Sequence, residues 1–295
     1  MDFKQLEAFT HVVRLGSFSR AAEALFLTQP TVSAHIATLE RELGTSLIVR
    51  GGKTAQPTDV GRTLYDYALH ILTLRDQALA ACKDGGGLKG IVRIAASTVT
   101  YQYVLPQLMS TFRQRHGAVT FDIKRCDSEG VVEAIVAGQA EIGMTGTATA
   151  DGSCIFREFM EDNLVVITPI TPPYDAMEDF TLDALRQHPF ILREAGSGTR
   201  RETERYLERQ GVTLLSLQVA AYMEEPDAIK NAVRQGLGIS IVSRLAVQDY
   251  EDMGYIRVVP LEGQAIHRKL FIVRHKRRPL GPAADAFLDF VLATQ

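Results

Sequence analysis

The strongest constraint on this chain lies in residues 17–44, SFSRAAEALFLTQPTVSAHIATLERELG, where two short amphipathic helices meet across a turn of only three or four residues. Ala21, Ala22 and Ala24 leave room for the second helix to cross the first closely and steeply. Leu25 and Leu27 are placed to fill the corner. Thr28 can cap the second helix, Pro30 suits an early position that needs no N–H, and Gly44 stops it. Val32, Ile36, Leu39 and Leu43 recur at helical spacing and form its buried stripe. Gln29, Thr31, Ser33, Ala34, His35 and Thr38 then turn outward. Short neutral groups of this kind suit base edges and phosphates better than an ordinary solvent face, which carries Lys and Glu.

Charge adds little to that argument. The chain has a net charge of −3, and residues 1–62 carry seven basic against six acidic groups, a net of +1. DNA contact must therefore rest on where charges stand. On composition alone, a three-helix bundle with no DNA role stays open. Before the two helices, Phe3, Leu6, Phe9, Val12 and Val13 mark another helix, which Gly16 ends and after which Ser17 caps the next. Afterwards, Leu47–Val49 and the segment 50–57 predict a short hairpin turning at Gly51-Gly52. Arg50 and Lys53 flank its glycines and can reach phosphates, with Arg20 and Arg41 as weaker candidates.

Thr58 caps a long helix that runs to about Cys82. Its apolar side carries Val60, Leu64, Tyr67, Ala68, Ile71, Leu74 and Leu79, and such a stripe needs a covering surface. The same helix of a second subunit is the simplest cover, and packing within the chain is the alternative. The run Asp84-Gly85-Gly86-Gly87 is the clearest linker. Beyond it the pattern changes to strands at 90–96, 119–125 and 142–144 alternating with helices at 104–116 and 130–138, which predicts a mostly parallel sheet. Strand 164–168 and a Pro-rich turn lead into a second series, with strands at 190–192, 217–220, 239–242, 256–260 and 269–273. Helices at 199–209, 226–235 and 283–293 accompany them. Two α/β lobes with a cleft between them fit this order.

Cys82, Cys126 and Cys154 form no CxxC and have no histidine cluster nearby, so structural zinc and a disulfide framework are poor readings and a reducing cytosol fits better. The N-terminal MDFKQLEAF is not a signal peptide, and no apolar run approaches the roughly 20 residues of a membrane span.

The stretch SFSRAAEALFLTQPTVSAHIATLERELGTSLIVR, followed by PTDVG at 57–61, resembles the N-terminal domain of LysR-type transcriptional regulators. The length and lobe order of the remainder extend the resemblance over the whole chain. It implies a winged helix-turn-helix at 1–58, a linker and dimerisation helix with hinge at 59–87, and an effector domain at 88–295 resembling periplasmic binding proteins. Lobe I of that domain would hold 88–163 and 268–295, and lobe II 164–267. The resemblance also implies double-stranded promoter DNA as partner, read by Gln29, Pro30, Thr31, Ser33, Ala34, His35, Thr38, Arg50 and Lys53. Homodimers pairing into homotetramers, RNA polymerase as a further partner, and no cofactor complete the expectation. Two departures stand out: many members carry a basic residue where this chain has Ala34, and the usual wing is more basic than 51–55.

Two loops share one logic. Ser97-Thr98-Val99-Thr100 and Gly196-Ser197-Gly198-Thr199-Arg200 each join a strand to a helix, gathering hydroxyls and free N–H groups where the helix dipole favours an anion. Thr145-Gly146-Thr147 can border the same cleft. Plain helix capping is the competing reading for each loop. The picture is a small oxyanion held mainly by neutral donors, with Arg200 as a possible charge. The segment REAGSGTR at 193–200 resembles the sulfur-assimilation (CysB-like) branch of the family. That implies sulfate, sulfite or a related metabolite held by Ser97, Thr98, Thr100, Thr145 and Thr199, and Gly196 and Ser197 of the same loop are further effector-binding residues; a small organic acid is the alternative. An enzyme is the rival class, with His116, His188, His267 and His275 as bases, but no nucleophile–base spacing, GxSxG or metal set supports it. A ligand-binding module whose N-terminal bundle binds only protein is the third reading.

Overall fold

The computed structural model describes residues 1–49, 54–82, 87–149, 151–261 and 266–294. The chain opens with α1 (Phe3–Leu15), α2 (Phe18–Ala24) and α3 (Gln29–Leu43). Local chemistry sets their ends. Asp2 and Gln5 form a capping box on α1, and Gly16 closes it in the left-handed region at φ 62°. Ser17 and Thr28 accept hydrogen bonds from the N–H groups of Arg20 and Thr31 at the starts of α2 and α3. Ala21 and Ala22 are buried where the helices meet, together with Leu6, Phe9, Val12, Val32, Ile36 and Leu39. Three expected core residues are not there: Phe3 is 46% exposed, and Leu27 and Leu43 are each 42% exposed. Phe3 begins α1, Leu27 precedes α3 and Leu43 is its last residue, so neighbouring helices cover none of them.

The expected hairpin is present as β1 (Ile48–Val49) paired antiparallel with β2 (Gln56–Pro57). Its turn, with Arg50, Gly51, Gly52 and Lys53, lies outside the described residues, as do linker residues 83–86. Thr58 then caps α4 (Asp59–Cys82), its Oγ1 accepting from the Gly61 N–H at 3.0 Å. A Cβ at Gly61 would sit 2.1 Å from the Leu47 carbonyl oxygen, so only glycine lets the wing lie against this helix. The apolar stripe of α4 is divided. Ala68 and Tyr65 are buried in the N-terminal core, whereas Val60, Tyr67, Leu74 and Leu79 are exposed by 49%, 61%, 56% and 53%.

The α/β region contains β3 (Gly90–Ser97), a π-helical turn (Thr100–Val104), α5 (Leu105–Arg115), β4 (Val119–Cys126), α6 (Ser128–Val136), β5 (Ile142–Thr145) and β6 (Cys154–Thr168). It continues with α7 (Leu182–Gln187), β7 (Pro189–Arg193), α8 (Gly198–Arg209), β8 (Gln218–Met223), α9 (Pro226–Arg234) and β9 (Ser240–Ser243). The last elements are α10 (Gln248–Asp252), β10 (Arg257–Val259), β11 (Ile266–His275) and α11 (Pro282–Ala293). As expected, β3 is parallel to both β4 and β5, and β7 is parallel to β8.

The expectation of a mostly parallel sheet fails in the middle of the molecule. β6 and β11 are long antiparallel partners, in register from Leu164↔Ile266 to Cys154↔His275 around one bulge. At one end β11 pairs with β5. At the other, β6 pairs with β9 and β10. These two strands therefore run through both lobes. The segments 164–168 and 269–273, expected as short separate strands, are pieces of them. The part of β6 before Leu164 escaped notice because Arg157, Glu158, Glu161 and Asp162 interrupt its apolar pattern. One core gathers around Val92, Phe112, Ile142 and Phe287, and another around Phe180, Phe190, Leu207 and Ile241. Phe112 and Phe287 meet edge to face with centroids 5.2 Å apart.

The N-terminal unit touches the first of these lobes directly. Arg278 donates to the Ile135 carbonyl and the Asp66 carboxylate, at 2.8 and 2.6 Å.

Candidate functional site

The outer face of α3 is open. Gln29, Pro30 and Ala34 are exposed, and Thr31, Ser33, His35 and Thr38 are half-buried with their edges at the surface. Two of the hydroxyls already have neighbours. Thr31 Oγ1 lies 2.8 Å from Thr28 Oγ1, and Thr38 Oγ1 accepts from Arg41 at 3.3 Å. Arg20 and Arg41, both exposed, flank the pair of helices. Phe26 holds φ 55° in the turn between α2 and α3 and is 97% exposed, so the tight turn pushes an aromatic ring into solvent beside the start of α3. No sequence signal marked that ring.

The second site lies where three helix starts converge. Ser97 and Thr98 end β3 and lead into the π-helical turn, Ser128 begins α6, and Ser197 caps α8 by accepting from the Arg200 N–H at 3.4 Å. Asp127 caps α6, accepting from the Gly130 N–H at 2.7 Å. These residues, with Thr199, Arg193 and Arg268, line a cavity of about 10 Å³, the space of a single water. The walls are close. A Cβ at Gly196 would fall 1.9 Å from Asp127 Oδ2, and one at Gly198 would fall 2.7 Å from Ser128 Oγ and 2.9 Å from Thr147 Oγ1. Glycine at 196 and 198 is thus needed for the lobes to meet, and Gly196, expected to bind the effector, does not itself line the cavity.

Of the effector residues read from sequence, Ser97, Thr98, Ser197 and Thr199 come together at the cavity. Thr100 and Thr145 do not line it. Thr100 is fully buried and its Oγ1 lies 2.9 Å from the carbonyls of Ser97 and Met144, so its hydroxyl ties β3 to β5. Thr145, also fully buried, faces the backbone of Thr147. Arg200 is turned away, donating to the Arg193 carbonyl at 3.2 Å and lying over the Tyr222 ring.

The expectation of mainly neutral donors also needs correction, because two buried arginines form part of the wall. Arg193 pairs with Glu194 through bonds of 2.8 Å. Arg268, on β11, donates from Nε to Asp162 Oδ2 at 2.7 Å and from Nη1 to Thr199 Oγ1 at 3.0 Å. Asp162 also accepts from Ser243 Oγ at 2.8 Å. Sequence reading missed Arg193, Arg268, Asp162 and Ser128. A usable signal existed for one pair: Arg268 shares its strand face with Ile266 and Leu270, and Asp162 with Leu164 and Val166, so both charges fall on buried positions.

Ties between the lobes close the mouth of the cleft. Arg125 pairs with Glu225, Arg201 with Glu129 at 2.6 Å, and Tyr103 Oη donates to Asp227 at 3.1 Å. Burial, then the Asp227 charge, hold the Tyr103 hydroxyl far above its ordinary pKa, so it stays a neutral donor. Lys230 lies beneath, bonded to Asp249 at 3.0 Å and over the Tyr250 ring. The four histidines weighed as bases are scattered. His116 stacks on Phe112, His188 meets Tyr174 Oη, His267 is exposed, and His275 accepts from the N–H groups of Arg277 and Arg278. Burial raises the Cys126 thiol and pushes Cys154 up to about 11, which keeps both as thiols. Among the described residues no cluster of His, Cys, Asp and Glu could hold a metal, and no helix is long and apolar enough to cross a membrane.

Comparison with known proteins agrees with this architecture. The bacterial regulatory helix-turn-helix of the lysR family matches residues 3–62, and the LysR substrate binding domain matches 85–295. The RuBisCO operon transcriptional regulator of Allochromatium vinosum is 33% identical over 99% of this chain and 96% of its own length. A full-length OxyR variant from Pseudomonas aeruginosa superposes with a TM-score of 0.77 at 19% identity, over 99% of this chain and 94% of that one. The regulatory domain of Synechocystis PCC6803 CcmR, solved in complex with 2-PG, gives 0.64 at 23% identity, over 70% of this chain and 97% of that one.

Proposed function

The chain belongs to the LysR family of bacterial regulators, and we propose that its activity is set by a small oxyanion bound between the lobes. At the coarser level it is a DNA-binding transcriptional regulator responsive to a small ligand, and not an enzyme. The observation that carries the finer reading is the meeting of Ser97, Thr98, Ser197 and Thr199 with three helix starts at one half-open cavity, which has room for a single water in this arrangement and takes a larger anion only as the lobes part. Hydroxyls and N–H groups gathered there favour an anion over a cation or an apolar ligand. The sulfur branch suggested by residues 193–200 has no counterpart among the relatives named above. We therefore define the ligand by chemistry: sulfate, sulfite, a phosphate ester or a small carboxylate. That the CcmR regulatory domain was solved in complex with 2-PG supports a small effector for this domain.

On the DNA side, Gln29, Pro30, Thr31, Ser33, Ala34, His35 and Thr38 would meet the major groove, with Arg50 and Lys53 on flanking phosphates. The exposed residues of α4 support pairing with a second subunit, and two such dimers would form the tetramer that acts at promoters in the cytoplasm, beside RNA polymerase. The proposed units are 1–58, 59–87 and 88–295. Ligand acts only through its different affinity for two lobe arrangements.

Thr199→Val tests the pocket. Anion titration should weaken in this variant, while ligand-free DNA binding in a mobility assay stays near wild type. Equal loss of both would remove the pocket assignment. Exchange of Gln29 and Ser33 for Ala should abolish selective binding to a dyad-symmetric promoter duplex.

A further inference from the structure

Building on the anion-binding reading above, we propose that Arg268 is the residue that reads the effector's charge, and that Asp162 is an internal competitor for it. The two are cross-strand partners on β11 and β6, and both are nearly sealed from solvent, at 5% and 4% exposure. Arg268 spends Nε on Asp162 and one N–H of Nη1 on Thr199. Its Nη2 also lies 2.5 Å from Asp162 Oδ2, so one carboxylate draws two of its nitrogens. Ser128 Oγ, 1% exposed, belongs to the wall of the same cavity and has no hydrogen-bond partner among the described residues. Buried polar groups are rarely left so, because an unmet O–H carries its full desolvation penalty. An unmet hydroxyl and a buried guanidinium on one cavity wall match the donors of an oxyanion.

Asp162 also accepts from Ser243 Oγ, which fixes its carboxylate against β9. An incoming anion offers the guanidinium a second acceptor on the cavity side and draws its charge from Asp162 toward the cleft. Thr199, bonded to Nη1, reports that shift to the start of α8. The other buried arginine, Arg193, is paired through Nε and Nη2 with its chain neighbour Glu194.

Removing the competitor has an effect opposite in sign to ordinary damage. In the full-length protein, D162N leaves Arg268 charged, buried and uncompensated. It should unfold at lower temperature without anion, and its half-saturating concentration for sulfate or phosphate should fall about tenfold at ionic strength matched with chloride. The neutral pair D162N with R268Q should recover much of the thermal stability and lose the anion response. T98V, which alters the opposite wall, should weaken the response both in the wild-type chain and in D162N. A purely structural ion pair predicts that D162N is destabilised with anion affinity unchanged, and that result overturns the role of Arg268 while T98V still upholds the cleft. An anion response that T98V leaves untouched places the anion elsewhere and overturns both readings.

Discussion

Tyr65, on the long helix α4, donates its hydroxyl to the Ala137 carbonyl oxygen at 2.8 Å, across 72 residues of sequence. Ala137 closes α6, and Ser128, the first residue of that helix, lines the cleft cavity. One short helix therefore has its start at the cleft cavity and its end against the long helix α4. The Arg278 guanidinium reinforces the joint by bonding Ile135 O and Asp66 and lying over the Tyr65 ring. Tyr65→Phe should lower the stability of this joint by about 1 kcal/mol, the usual worth of one such bond. Combined with Arg278→Ala, it should separate the calorimetric unfolding of the N-terminal unit from that of the lobes. A single unchanged transition in the double variant would show that the joint couples nothing.

The recognition helix is short of positive charge where α3 faces outward at the exposed Ala34. Ala34→Arg should tighten binding to promoter DNA at low salt. It should also steepen the plot of log affinity against log salt concentration by about one, the mark of one added phosphate contact. Fluorescence anisotropy from low to moderate salt reads both effects, and an unchanged slope would place position 34 away from the DNA backbone.

Gly196 sits where a Cβ would meet the Asp127 carboxylate at 1.9 Å. Asp127 cannot swing aside freely, since it caps α6. Gly196→Ala should therefore hold the lobes apart, at about 1–3 kcal/mol of stability, the usual cost of overpacking. Small-angle scattering should show a larger effector domain in this variant than in wild type without ligand. Removing the obstacle with Asp127→Ala in the same chain should restore the closed dimensions at the expense of the cap.

His11 and His188 both have pKa values lowered by burial, more than the bond from His11 to the Glu7 carbonyl can offset. Above pH 6.5 each is neutral in folded and unfolded chains alike. Below 6.5 the unfolded chain takes up protons first, so the stability these groups support is lost as pH falls through their depressed folded values. Thermal midpoints should drop on acidification from pH 6.5, and His188→Asn should flatten part of that slope. An equal slope in the variant would mean that His188 has an ordinary pKa.

How much of this could be read from residues alone divides along one physical line. Helix starts and stops were legible because capping is local: Ser17, Thr28, Thr58 and Ser197 each bond an N–H within the next three residues. The crossing of α2 and α3 was legible because Ala21 and Ala22 must be small for any close partner. The cleft hydroxyls at 97, 98, 197 and 199 were legible for the same local reason. Thr100 and Thr145 looked identical to them in sequence, but the pairing of β3 with β5 brings Thr100 to the Met144 carbonyl, and Thr145 turns to the backbone of Thr147. The charge in the site was invisible from spacing. Strand alternation tells which face a side chain takes, but not which residue will stand opposite, and Arg268 meets Asp162 across 106 positions. By itself the sequence determined the local elements and the family. The tertiary structure decided which donors share one cavity, because long-range strand register brings together groups that no local bond connects.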